Sequence, residues 1–124
     1  MSTYKWDQLP ADRVSDDYVR KFVFGENLVV ARIEGKAGSR TEAHVHENEE
    51  MVIVLKGAWR FFIGDREVTL RSNQMLAIPP GVEHSSEALE DTVALDICTP
   101  SRPDWVSAED RHLHVDPDDF LWAV

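Results

Sequence analysis

The stretch Gly38–Gly57, GSRTEAHVHENEEMVIVLKG, decides how the rest of the chain is read. It sets His44 and His46 one residue apart, places Glu50 four positions after the second histidine, and closes with an apolar run, Met51–Leu55, before Lys56 and Gly57. Two readings compete: a metal site at the mouth of a β-barrel, or a polar turn between strands that happens to be rich in His and Glu. On a strand, residues two apart point to the same face, so His44 and His46 would offer both imidazoles to one side, about 7 Å apart. Glu47, Asn48 and Glu49 are polar enough for a turn, after which Glu50 opens a buried strand. A carboxylate at the inner end of such a strand is costly unless a cation compensates it. A metal ion would do so. His84, following the rigid turn Pro79-Pro80-Gly81, can bring a further ligand from a distant strand. Three imidazoles and one carboxylate suit a divalent Fe, Mn, Zn, Ni or Co ion with positions left for water or substrate.

Working outward, the chain shows short β-type runs broken by turn residues: KFVFG, LVVARIEG, MVIVLKG, AWRFFIGD, REVTL, MLAIPPG and VALDIC. Long helical periodicity and internal repeats are missing. Strands this short and evenly spaced predict an all-β barrel or sandwich rather than a βαβ fold. Gly64-Asp65 reads as a tight hairpin between AWRFFI and REVTL, with the glycine supplying positive φ. Alternation puts Trp59, Phe61 and Ile63 on a core face and Arg60 and Phe62 on the other. Phe62 then needs cover, and a second protomer is a reasonable source, which makes a homodimer the expected state.

At 124 residues the chain is one domain, residues 1–124, with a barrel over about 25–100, an N-terminal arm 1–20 and a C-terminal tail 101–124. Both extensions carry aromatic residues and are expected to pack on the barrel or on a neighbour. The net charge of −10 argues against nucleic acid as a partner. It leaves an anionic small-molecule substrate open, because two local arginines reverse the sign of a pocket. No apolar run approaches a membrane span, and the N-terminus lacks the pattern of a signal peptide. With Cys98 as its single cysteine, the chain is expected in the reducing cytoplasm.

The spacing from Gly38 through His44, His46 and Glu50 to Gly57 resembles the first sequence motif of the cupins at every position. Pro79-Pro80-Gly81 followed by His84 resembles part of their second motif, with Asn73 where the family usually opens on glycine and Ala88 where it closes on asparagine. The resemblance covers roughly residues 25–100. It implies a single-domain double-stranded β-helix, jelly-roll-like, in which His44, His46, Glu50 and His84 hold one divalent transition metal per chain, with dimerisation common.

A narrower resemblance lies in LEDTVALDICTPSRPDWV, which is similar to the end of the barrel in small cupins that open unsaturated uronates in pectin and alginate breakdown, and in polyketide-cyclase cupins. The matching positions are Asp96, Cys98, Pro100, Arg102, Asp104 and Trp105. Those relatives often carry glutamine where Glu50 stands and an aromatic where Cys98 stands. If the Asp96 face is inward, Asp96 is a candidate general acid or base, and Arg102 is a candidate bidentate clamp for a substrate carboxylate. Cys98 reads as a small buried filler, Arg32 as either a pocket-lining residue or, the favoured reading, a surface partner for acids near Glu34, and His112-x-His114 as a solvated or packed part of the tail. The function expected is a metal-dependent enzyme on a small keto, enol or uronate-like substrate, of isomerase, cyclase or lyase type. An iron dioxygenase at the same ligands and a non-catalytic metabolite sensor stay open beside it.

Overall fold

The computed structural model describes residues 1–100 and the two-residue strand His114–Val115. A short 3-10 turn, Trp6–Gln8, precedes β1 (Ala11–Ser15), β2 (Tyr18–Phe24), β3 (Val29–Gly35), β4 (Arg40–His44), β5 (Glu49–Lys56), β6 (Ala58–Ile63), β7 (Arg66–Arg71), β8 (Met75–Ile78), β9 (His84–Ala88), β10 (Thr92–Thr99) and β11 (His114–Val115). The strands form a seven-stranded sheet, β11-β1-β2-β3-β10-β5-β8, and a four-stranded sheet, β4-β9-β6-β7. The pairings are antiparallel. The all-β expectation holds. Among the described residues no helix is long and apolar enough to cross a membrane.

The core lies between the sheets and follows from strand alternation. On β5 the inward positions are Glu50, Val52 and Val54; on β10 they are Ala94, Asp96 and Cys98, all buried. From the smaller sheet Trp59, Phe61 and Leu70 pack against them. Phe62 points the other way and is 38% exposed, as its parity predicts.

The sheet begins earlier than the expected barrel boundary near residue 25. Residues 11–20, assigned to an arm, form β1 and the start of β2, and β2 pairs with β3 along its whole length from Tyr18↔Gly35 to Phe24↔Val29. Apolar groups on both faces and the charged pair Arg20-Lys21 hide the alternation of this strand in the sequence.

Arg32 also departs from expectation. It is fully buried rather than a surface residue, and so is Lys21, its register partner on β2. Both sit on the face of the large sheet turned away from the core. The N-terminal turn covers that face: Lys21 Nζ donates to the Trp6 carbonyl at 2.6 Å. Burial lowers the Lys21 pKa below its usual 10.5, and the neighbouring Arg32 charge adds to the effect.

Backbone geometry explains the glycines that frame the site. Gly57 has φ +99, and a Cβ there would collide with the Asp91 carbonyl and stand 2.6 Å from Thr92 Oγ1. No other residue fits. Asn73, standing where glycine is usual, has φ +68, and asparagine is among the few residues that accept this region. The departure is therefore one of residue type and not of backbone conformation.

Candidate metal centre

Three elements deliver the histidines. His44 is the last residue of β4, and His84 is the first of β9, directly opposite it in register. His46 lies past the end of β4, in the turn before β5, so the strand expected to carry both His44 and His46 stops one step short. The turn is pinned from two sides. Gly81 N–H donates to the His46 carbonyl at 2.9 Å, which ties PPG to the first histidine pair. Asn48, buried, donates its side-chain amide to the Pro100 carbonyl.

The rings converge despite the break. Ring centroids are 5.5 Å apart for His44 and His46, 4.2 Å for His44 and His84, and 5.0 Å for His46 and His84. Each Nδ1 faces a backbone carbonyl two residues away: Glu42 at 2.8 Å from His44, Asn48 at 3.2 Å from His46 and Val82 at 2.9 Å from His84. A carbonyl oxygen only accepts, so each Nδ1 carries a proton, and Nε2 is left as the nitrogen that gives its lone pair to a metal or, on a protonated ring, donates to a carboxylate. Two of these nitrogens address the same carboxylate oxygen. Glu50 Oε1 lies 2.9 Å from His46 Nε2 and 3.4 Å from His84 Nε2.

This donor set fits a divalent transition metal. One ligand atom from each of His44, His46 and His84 lies within 4.8 Å of the others, and the Nδ1–carbonyl bonds are the second layer that such imidazole ligands need. Glu50 adds an anionic oxygen. Its burial would raise the carboxyl pKa, but hydrogen bonds from His84 and Asp96, with the charges of His84 and His46, bring it down to about 2.

Asp96 is inward-facing and 5% exposed, as the parity argument requires for a role near the metal. Its carboxyl group meets that of Glu50: one ligand atom from each, together with the Cys98 thiol, lies within 4.8 Å of the others. Cys98 is fully buried beside both acids, in keeping with a filler. Arg102, Asp104, Trp105 and His112 lie outside the described residues, as does the side chain of His114.

His44 and His84 open on a cavity of about 330 Å³ whose walls also include Glu50 and Asp96. Tyr18, Arg20, Arg40, Trp59 and Ser86 line it too, and none was singled out for the site from sequence. For Arg20 a signal existed: it shares strand parity with Tyr18, Phe22 and Phe24, the apolar face of YVRKFVF. For Arg40 and Ser86 there was none, because only the β4–β9 pairing brings them to the cavity.

No curated protein matches the chain in sequence. Solved structures do match in fold. KdgF from a Halomonas species superposes with a TM-score of 0.79 at 22% identity, covering 85% of this chain and 100% of that one. An RmlC-like cupin from Shewanella frigidimarina gives 0.80 at 19% identity, with 86% and 96% covered. A deletion mutant of Bacillus subtilis oxalate decarboxylase gives 0.70 at 20% identity, covering 81% of this chain and 30% of that larger one. These likenesses show a shared fold. The family model described as "Cupin domain" matches residues 31–98, more than half of the chain and a span that includes His44, His46, Glu50, His84 and Asp96. The chain therefore belongs to the cupin family.

Proposed function

We propose that this cupin is a metal-dependent enzyme that moves protons on a small oxygenated substrate of keto, enol or uronate type, by isomerisation, cyclisation or elimination. The observation that carries the reading is the convergence of three Nδ1-locked imidazoles, two of them on the Glu50 carboxylate, with the buried Asp96 beside Glu50 in the same cavity wall. His44, His46, His84 and Glu50 would hold the ion, and a bound divalent metal supplies Lewis acidity toward a substrate oxygen. The chain's own groups supply the rest. Asp96, on the cavity wall, can give a proton to an enol carbon or oxygen and take one from the substrate in turn, acting as general acid and base. Trp59 and Phe61 give the cavity an apolar side that orders a substrate ring and keeps bulk water out. Cavity size favours a substrate no larger than a monosaccharide.

The uronate members of this class are supported by the likeness of the β10 region to uronate-opening cupins. The test is turnover of a 4,5-unsaturated uronate under anaerobic conditions by the metal-loaded protein, followed by loss of its absorbance. Asp96→Asn should abolish turnover while retaining metal. Turnover by Asp96→Asn at the wild-type rate would remove Asp96 from the mechanism. An iron dioxygenase is the second reading, favoured by the carboxylate donor Glu50 where a neutral amide is common. Oxygen consumption upon adding substrate to the iron-loaded protein separates the two.

A cytoplasmic setting and a homodimer belong to the same reading. The buried free thiol of Cys98 suits a reducing compartment, and the exposed Phe62 suits cover by a second copy. Sedimentation of the wild type against Phe62→Glu tests the dimer.

A further inference from the structure

The metal wall occupies one side of the cavity, and the side contributed by β2 has a chemistry of its own. Arg20 lines the cavity from the core-facing side of β2, opposite the buried Ile33 of β3. Its guanidinium carbon stands 5.1 Å from the centroid of the Phe22 ring, which is itself buried, so the head group rests on an apolar platform. Across the strand pair, Asp12 of β1 is Arg20's register partner and is 2% exposed. Such a buried carboxylate favours a charged, fixed guanidinium next to it. A guanidinium has five N–H donors in a planar fork, enough to serve a neighbouring acid and a ligand together.

Among the described residues the other arginine at the cavity, Arg40, has a different situation. Arg40 is 75% exposed and spends its Nε on Glu87 at 2.7 Å. Arg20 is half-buried and on the inner face. The chain as a whole carries a charge of −10, which repels anions at long range. An inward, half-buried cation in so acidic a protein is therefore informative about what the cavity accepts. A cavity of about 330 Å³ lies at the small end of ligand pockets.

We propose that Arg20 is the carboxylate-binding residue of this cavity, and that the substrate is a small hydroxy- or oxo-acid of monosaccharide size. Its carboxylate is held on β2 while its oxygenated end faces His44, His84 and Glu50. This rests on the cavity being the substrate site, as proposed above, and adds the charge and the orientation of what enters. It assigns to the N-terminal strands, outside the matched region 31–98, the part of the site that selects the substrate.

Calorimetric titration of the full-length protein with D-galacturonate, and with D-galactose as the uncharged ring, tests the assignment in metal-free and zinc-loaded forms. Wild type should prefer galacturonate. Arg20→Gln should lose about ten- to a hundred-fold in galacturonate affinity and bring the two sugars level, with zinc stoichiometry unchanged. Arg20→Lys should recover part of the preference, since it restores charge without the fork. Should Arg20→Gln fail to fold, Asp12→Asn/Arg20→Gln, which removes both opposed charges, takes its place. Galacturonate binding to the folded variant at wild-type affinity overturns the proposal. So does a wild type that binds neither sugar or prefers neither. A protein that takes up no zinc yet keeps an Arg20-dependent preference for galacturonate sinks the metal reading and leaves the Arg20 assignment standing.

Discussion

His44 and His84 stand directly opposite each other across the β4–β9 pair, their rings 4.2 Å apart, although a third of the chain separates them in sequence. This pairing, more than either motif alone, makes the candidate metal site. A ligand cage closed by tertiary contacts would give the folded chain a metal affinity the unfolded chain lacks, and so metal should stabilise it.

Metal at a hundred times its dissociation constant should raise folding stability by about 2.7 kcal/mol, an increase of several degrees in Tm. His84→Ala should lose that increment and retain no metal after desalting. Thermal unfolding with and without zinc, with elemental analysis, measures both. An undiminished shift in His84→Ala would mean that the ion binds elsewhere.

Glu50 predicts an acid-labile fold. In the metal-free protein its pKa of about 2 lies below the ordinary carboxylate value of 4.5, so the folded state binds fewer protons than the unfolded one between them. The resulting stabilisation is complete above 4.5 and is lost as pH falls toward 2. It is of the order of a few kcal/mol. Urea unfolding across this range should show a steeper acid loss for wild type than for Glu50→Gln.

Gly57→Ala should destabilise by roughly 2–4 kcal/mol, because the left-handed backbone and the collision with Asp91 act together. Gly64→Ala, in an open hairpin with φ +59 and nothing within 4 Å of the added Cβ, should cost only about 1–2 kcal/mol. Equal shifts in urea midpoint for the two variants would refute the steric account of Gly57.

Lys21 predicts an effect at the alkaline end. Its folded-state pKa lies below 10.5, so burial of the ammonium costs stability at neutral pH, and that cost is relieved as pH rises through the folded value toward 10.5. Lys21→Met should remove this rise from the pH–stability curve. It also removes the Nζ–Trp6 bond, and increased proteolysis near Trp6 would report release of the N-terminal turn.

Much of this architecture was legible in one dimension because its signals are local. The hairpin at Gly64-Asp65 follows from its turn residues and the faces of AWRFFI from period-two alternation, and each stands as the pattern requires. Alternation put Asp96 and Cys98 on one face of β10 but left open which way that face turns, and the fold turns it inward. Arg32 and β2 were misjudged for a common reason. Both lie where a second layer of chain, the Trp6–Gln8 turn, covers the outer face of the sheet, and alternation cannot distinguish a covered outer face from a solvated one.

The sequence by itself determined the donor types and their spacing: two imidazoles, a carboxylate, framing glycines and a third imidazole behind a rigid turn. Those are properties of neighbouring residues and of the backbone angles they permit. Only the tertiary structure decided that the imidazoles converge through Nε2, since each Nδ1 is claimed by a carbonyl fixed by the local turn, and that Asp96 meets Glu50. It also decided that Arg20 faces the same cavity. Cross-strand register sets these distances, and register is fixed by burial of whole strand faces, which no short motif encodes.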